Sequence, residues 1–288
     1  MRTGALSARQ TAREAALRLE YCGVPEPVAS AEVLLAELLG ARRSELAFYP
    51  KSVTEEQAEL YETWISRRLR REPVQRILGH AYFRSLRLDL DEHTLIPRPD
   101  TETVVDAALE VIDRRGGFCR VLDIGTGSGA LAISIAQERP LCEVHATDLS
   151  EDALRIAQRN AARAGVEVRF YRADVAPGTD VLESVEVLVS NPPYVRSADI
   201  PTLAPEVRDW DPRSALDGGA DGLDFYRRIF AEIDPTLSVG ADLVFEVGDG
   251  QAEEVLELGC RAGYAPVGER ADLAGTTRAV LLRWEPEP

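Results

Sequence analysis

Two stretches of this chain carry residues whose types and order suit chemistry. One is "VLVSNPPYV", Val187–Val195. Its apolar run stops on an amide, two rigid rings and a phenol. The Asn191 side-chain oxygen is a hydrogen-bond acceptor. Pro192 has no N–H but keeps its carbonyl, and Pro193 fixes φ and so holds that carbonyl in place. Together, Asn191 Oδ1 and the Pro192 carbonyl can grip both hydrogens of a planar –NH₂ group. Tyr194 offers a π face to a flat substrate or to a cation. Such a clamp suits group transfer to an amide or exocyclic amine, a poor nucleophile because its lone pair is delocalised. Orientation in line with the donor can lower a barrier of this kind by up to ~7–11 kcal/mol.

The other stretch is "VLDIGTGSGALAIS", Val121–Ser134. It reads as strand, tight glycine turn and helix. Gly125, Gly127 and Gly129 let a ligand approach the backbone where a Cβ would clash. Asp148, at the end of the next strand, has the spacing suited to a ribose diol. Gly125-x-Gly127-x-x-Ala130 also fits the dinucleotide pattern, so a nicotinamide dehydrogenase is an alternative, as is a non-enzymatic nucleoside-binding scaffold. Asp123 favours S-adenosylmethionine. It can bind an amino group near the methionine end of that cofactor, and it would repel the pyrophosphate of a dinucleotide. Asp174, after the third strand, can accept from an adenine amino group or can simply close a turn. The glycine turn upstream and the β/α elements between favour a clamp at Asn191–Tyr194 over a mere strand end.

The elements that would position these residues follow from periodicity. Three amphipathic helices are predicted over Thr11–Tyr21, Val28–Leu39 and Glu55–Leu69, packed as a small bundle. Thr54 is the expected N-cap of the third. Ala81–Leu90 alternates as a hairpin does. In "LIPRPDTE", Leu95–Glu102, the prolines hold the chain extended, and Asp100 or Thr101 is expected to cap the next helix. From Cys119 onward strands alternate with helices: strands at Arg120–Ile124, Glu143–Thr147, Val166–Tyr171, Val185–Ser190, Asp242–Val247, Tyr264–Val267 and Arg278–Trp284; helices at Ala130–Gln137, Glu151–Ala164, Leu223–Asp234 and Gln251–Ala262. The expected fold is α/β, a Rossmann-like, mostly parallel sheet with an antiparallel last strand behind a small N-terminal helical bundle. Residues 1–72 would form the helical domain, 73–100 a hairpin connector and 101–288 the catalytic domain. The Pro/Asp/Gly-rich stretch Ser197–Asp221 has no clear period and reads as a lid or mobile segment.

Composition narrows the classes. Across 288 residues the formal net charge is −16, and Lys51 is the single lysine. That disfavours a broad grip on nucleic-acid phosphates, which needs a basic stripe. No apolar run reaches membrane-spanning length. Cys22, Cys119, Cys142 and Cys260 lie far apart and, like His80, His93 and His145, show no metal-ligand spacing. Reduced thiols in a cytoplasmic protein are the expectation, with no metal.

Taken together, these motifs resemble the glutamine-N5 protein methyltransferases of the PrmC/HemK type. "PVQRILG", "LIPRPDTE", "VLDIGTGSGALA", "VSNPPYV", "DGLDFYRRI", "FEVGDGQ" and "DLAGTTRAV" occur in that family's order over nearly the whole chain. The resemblance implies a class I methyltransferase domain using S-adenosylmethionine. It implies methylation of the glutamine in the Gly-Gly-Gln loop of peptide-chain release factors; the accompanying expectation is a cytoplasmic monomer with no direct nucleic-acid or membrane partner. On this pattern Asp123, Gly125, Thr126, Gly127, Ser128, Gly129, Asp148, Asp174, Val175 and Asn191 line the cofactor site. Asn191, Pro192, Pro193 and Tyr194 hold the glutamine amide, with Asn191, Pro192 and Tyr194 acting in catalysis. Phe83 and the Pro97–Glu102 loop lie near the active site, with Phe83 and Arg98 among the substrate-binding residues. A paralogous branch acts on a ribosomal protein and tends to have Ser-Pro in place of Arg98-Pro99; adenine-N6 methylation of nucleic acid is the further alternative, since its target is also a conjugated –NH₂. Arg76, Asp211 and Val239-Gly240-Ala241 depart from the family pattern.

Overall fold

The computed structural model describes residues 7–233 and 237–285. They form two compact units. The first takes in the chain up to Gly79 together with Ala204–Trp210; the second takes in His80–Leu203 and the chain from Asp211 onward.

The first unit holds α1 (Ala8–Tyr21), α2 (Pro27–Leu39), α3 (Glu55–Leu69) and α4 (Val74–Leu78). α3 spans the predicted residues, because its start is fixed locally. Thr54 accepts from the Gln57 N–H while the Gln57 side chain takes the Thr54 N–H. Such caps are worth ~1 kcal/mol. Leu19, Leu34, Leu35, Tyr61 and Ile65 meet in one core, and the buried Tyr61 phenol donates to the Ala31 carbonyl at 2.8 Å. Arg68 is buried as well. It donates to Ser30 Oγ and to the carbonyls of Glu72 and Pro25, and it shares the Glu206 carboxylate with Arg71.

The second unit begins with the hairpin β1 (His80–Phe83) and β2 (Leu86–Asp89), followed by α5 (Glu102–Arg114), β3 (Arg120–Ile124), α6 (Ala130–Glu138), β4 (Glu143–Asp148), α7 (Glu151–Ala164), β5 (Arg169–Arg172), a single turn α8 (Thr179–Leu182) and β6 (Val187–Ser190). A further turn, α9 (Pro205–Arg208), belongs with the first unit. Then come α10 (Asp224–Ile233), β7 (Asp242–Glu246), α11 (Ala252–Arg261), β8 (Tyr264–Ala271) and β9 (Thr277–Trp284). Asp234, the predicted end of α10, lies outside the described residues. Seven strands form one sheet in the order β5-β4-β3-β6-β7-β9-β8. Only β9 runs against the others, pairing antiparallel with both β7 and β8.

The central strands β3, β6 and β7 are buried on both faces, so they read as mostly apolar runs, whereas the edge strands β5 and β8 are largely exposed. Val121, Val187, Val189 and Leu281 pack with α5, α6 and the hairpin residues Phe83, Leu86 and Leu88. Leu122, Leu188, Phe245, Val280 and Leu282 pack with α10 and α11 on the other face. Asn160 of α7 is buried and ties the hairpin to the glycine turn. Its Oδ1 accepts from the Asp89 N–H at 2.8 Å, and its Nδ2 donates to the carbonyls of Asp89 and Ser128.

Two expectations are corrected. Thr101 occupies the N-cap position of α5 but caps nothing with its side chain. A 3-10 turn at Pro99–Thr101 leads straight into the helix, which leaves the hydroxyl for another partner. The Ser197–Asp221 stretch is not structureless. Short helical turns at Ile200–Thr202, Pro205–Arg208 and Arg213–Ala215 shape it, and Asp217 ties its end to Ser197, Arg213 and the Gly219 N–H. The local Asp and Ser side chains supply the hydrogen bonds that periodicity does not reveal.

Candidate active site

The chain leaves β3 for β4 and β5 on one side, then returns to place β6 on the other side of β3. Crevices at such a reversal, beyond the carboxyl ends of the strands, take ligands in open α/β sheets. Here it holds the glycine turn after β3, Asp148 at the end of β4 and Asn191 after β6. Gly125, Gly127, Asp148, Asp174, Asn191 and Pro193 all line one cavity of about 380 Å³.

Gly127 sits at φ +55° with open space where a Cβ would project. A side chain there would be strained and would fill the cavity. Its N–H donates to Asp148 Oδ2 at 2.8 Å, and the Ser150 N–H donates to Oδ1 at 2.8 Å. The carboxylate is thus locked edge-on to the cavity, with lone pairs left over for hydroxyl donors. Burial raises its pKa above the usual carboxylate range, and those two N–H groups oppose the rise.

Asp123 lies behind the turn and is 1% exposed. Its Oδ2 accepts from the Thr126 hydroxyl at 2.6 Å and from the Ala132 N–H of α6 at 3.3 Å. Its Oδ1 has no partner. Burial pushes this carboxyl up to about 7. A buried acceptor left unsatisfied costs ~1–3 kcal/mol, which suits an oxygen awaiting a donor. Ser128 and Gly129 close the turn, with the Ser128 carbonyl held by Asn160. Val175 is buried in the core, and its carbonyl accepts from Thr147. Asp174 is half exposed and paired with Arg228 at 2.6 Å.

Around the Asn-Pro-Pro-Tyr segment, the distant motifs converge. Asn191 Nδ2 donates to Thr101 Oγ1 at 3.2 Å. The Tyr194 phenol donates to Glu246 Oε1 at 3.1 Å, and the Tyr194 carbonyl accepts from Gln251 Nε2 at 3.0 Å. Burial raises the phenol's pKa, helped by the neighbouring Glu246, so Tyr194 stays protonated at neutral pH. Pro192 is buried. The Val195 N–H donates to the Leu216 carbonyl, and the Gly218 N–H donates to the Val195 carbonyl, which pins the exit of the segment. Phe83 stays in the core under the hairpin rather than at the cavity. Arg98 pairs with Asp211, whose Oδ1 also accepts from the Ile96 N–H. Asp211 departs from the family pattern, yet it still supplies the carboxylate this arginine needs.

Sequence reasoning misses several residues that the structure brings in. His93, Leu95, Leu149 and Phe225 line the cavity; Glu246 and Gln251 brace the clamp, as does Thr101, whose loop the family resemblance places near the site without giving it this role. Leu149 gives one readable signal, an apolar residue between Asp148 and the capping Ser150; the structure leaves it 60% exposed. Glu246 gives another, an acidic residue ending an apolar strand.

The chain is similar to known proteins along most of its length. The PrmC N-terminal domain family matches residues 10–79, and the methyltransferase small domain family matches residues 104–206. The release factor glutamine methyltransferase of Rhodospirillum rubrum is 42% identical over 93% of this chain and 82% of its own length. The enzyme of the same name from Agrobacterium fabrum is 37% identical over 92% of this chain and 93% of its own. A crystal structure of a methyltransferase from Pyrococcus furiosus matches with a TM-score of 0.52 at 21% identity, over 70% of this chain and 90% of that one, a likeness of fold.

Proposed function

We propose, from the premise that this chain belongs to the release factor glutamine methyltransferase family, that the cavity at Gly125–Asn191 is where a release factor's glutamine side chain is methylated on its amide nitrogen. The enzyme is S-adenosylmethionine-dependent. The residues present fit that cofactor: the unpartnered Asp123 Oδ1 can take an ammonium hydrogen, Asp148 can take ribose hydroxyls, and Gly127 leaves the approach open. The cofactor supplies an electrophilic methyl group.

The chain's own residues do the rest. Asn191 Oδ1 and the Pro192 carbonyl accept the two amide hydrogens and stabilise positive charge as it develops on nitrogen. Such a preset partner is worth roughly 3 kcal/mol. Pro193 fixes the backbone and Tyr194 supplies a neutral ring face. No strong base is required early, because the proton on nitrogen becomes acidic only once the methyl has arrived. The observation that carries this reading is that Asn191 and Pro193 share one cavity with Gly127 and Asp148.

Residues 1–72 are assigned to recognition of the protein substrate, 73–100 to the connector and 101–288 to catalysis. The Gly-Gly-Gln loop is the target segment. A monomer suits a strongly charged chain. The cytoplasm suits four free cysteines, and no helix among the described residues is long and apolar enough to cross a membrane. Incubation with labelled S-adenosylmethionine and, separately, release factor, ribosomal protein, total RNA and DNA tests the target. Label is expected in release factor; label in nucleic acid alone would overturn the reading.

A further inference from the structure

Glu246 is a buried group that the proposed reaction does not use. It ends β7 beside the end of β6, where Phe245 is in register with Ser190, and it is 1% exposed. Oε1 accepts from the Tyr194 phenol. Oε2 makes no hydrogen bond of ordinary geometry, although the nearby Thr101 hydroxyl favours the ionised form of the carboxyl. A buried carboxylate is costly, and packing alone would be served by an apolar residue. Thr101, also buried, receives the Asn191 Nδ2 hydrogen.

A hydroxyl has one hydrogen to give. With Asn191 donating into Thr101 Oγ1, the Thr101 hydrogen must point elsewhere, and the unsatisfied Glu246 Oε2 is a nearby acceptor, close enough for the hydroxyl to favour its ionised form though not within a hydrogen bond of ordinary geometry. When the Thr101 hydrogen turns to that oxygen, the directions run one way, from Asn191 Nδ2 to Thr101 to Glu246. Asn191 Oδ1 is left on the open side of the carboxamide. The flipped amide would set –NH₂ against the substrate's own –NH₂, donor facing donor.

We propose that Thr101 and Glu246 are positioning residues that fix the Asn191 carboxamide so that Oδ1, and not Nδ2, meets the substrate amide. This rests on the reading of Asn191 as the amide acceptor. Glu246 also holds the Tyr194 phenol, so one carboxylate orients both working side chains of the clamp. Its charged and titratable neighbours are Tyr194, Tyr226 of α10, Asp100 before α5 and Arg278 of β9. Burial pushes Glu246 up to about 7, with Thr101 and Tyr194 opposing. Once protonated it is a donor, the Thr101 hydrogen loses its acceptor, and the amide direction is no longer imposed. Turnover therefore falls as pH drops through about 7.

The test compares wild type, Thr101→Val, Thr101→Ser and Glu246→Gln on intact release factor, with S-adenosylmethionine affinity measured by calorimetry. Thr101→Val is expected to lower kcat on the order of 10- to 100-fold, as loss of an outer-shell orienting partner does. Cofactor affinity and KM should change little, and Thr101→Ser should restore most of kcat. Glu246→Gln is expected to flatten the acid limb of kcat at saturating cofactor; an acid limb in cofactor binding belongs to Asp123 and should persist. If wild type methylates release factor while Thr101→Val turns over normally, or while the acid limb survives in Glu246→Gln, this inference alone is overturned. If Thr101→Val does not fold, the pH profile of Glu246→Gln decides. A wild-type chain that methylates no release factor would overturn the site reading and this inference with it.

Discussion

In the proposed reading, Asn191 and Asp123 divide the residue-scale chemistry between substrate and cofactor. Asn191→Ala should remove most turnover while leaving S-adenosylmethionine affinity within a few-fold, measured by steady-state kinetics beside calorimetry. Equal losses in both would make Asn191 a cofactor residue instead. Asp123 is buried with Oδ1 unpartnered, at a cost to the folded chain. Its folded pKa, about 7, lies above the usual value of 3.8. Between those values the native chain keeps a proton that the unfolded chain releases, so this group's contribution to stability falls as pH rises through that window. Asp123→Asn should therefore melt at higher temperature than wild type near pH 8, by about 2–4 kcal/mol of stability. The advantage should shrink toward pH 5, and cofactor binding should weaken. A variant less stable than wild type at pH 8 would contradict this account. Asp123, Gly127, Asp148 and Asn191 are readable in the sequence because each sits at a strand end next to a turn, where position follows from local order. Glu246 and Phe225 are not, because they reach the site from elements far away in the chain; for Thr101 the family resemblance places the loop but not the contact with Asn191.

At the scale of elements, the clamp depends on backbone that packs against it. Gly222 sits at φ +82°, and a Cβ there would lie 2.4 Å from the Tyr194 carbonyl oxygen and 2.6 Å from Gln251 Nε2. Gly222→Ala should lower kcat by displacing Tyr194, with cofactor affinity held. Stability should drop by at least about 1 kcal/mol from the strained φ alone; unchanged kcat would show that the segment tolerates the shift. The sequence reading places most elements within a few residues, and places α3 without error because Thr54 marks its start. It misplaces β5, predicted at Val166–Tyr171 and found at Arg169–Arg172. That strand is at the sheet edge and pairs only with β4, so neither face imposes a clear alternation. Thr101 shows the opposite failure. Its residue type signals a cap, and a tertiary partner takes the hydroxyl instead.

At the scale of the whole molecule, charge and division of labour matter most. Residues 1–79 carry 12 Lys and Arg against 11 Glu, so the acidic excess lies beyond Gly79. The helical unit is thus the near-neutral part of a strongly acidic chain, and it exposes Tyr21 at 93% and Phe48 at 88%. Removing residues 1–72 is a poor test of its role, since Glu206 would lose Arg68 and Arg71. Tyr21→Ala with Phe48→Ala in the full chain is the better one. It should raise KM for intact release factor but not for a short Gly-Gly-Gln peptide, and equal effects on both would remove the recognition role. The most direct test of the central claim is mass spectrometry of release factor incubated with enzyme and S-adenosylmethionine. The account predicts one added methylene, located on the glutamine side chain of the Gly-Gly-Gln segment and absent with Asn191→Ala. An unmodified glutamine, or a methyl group located on any other residue, would contradict it.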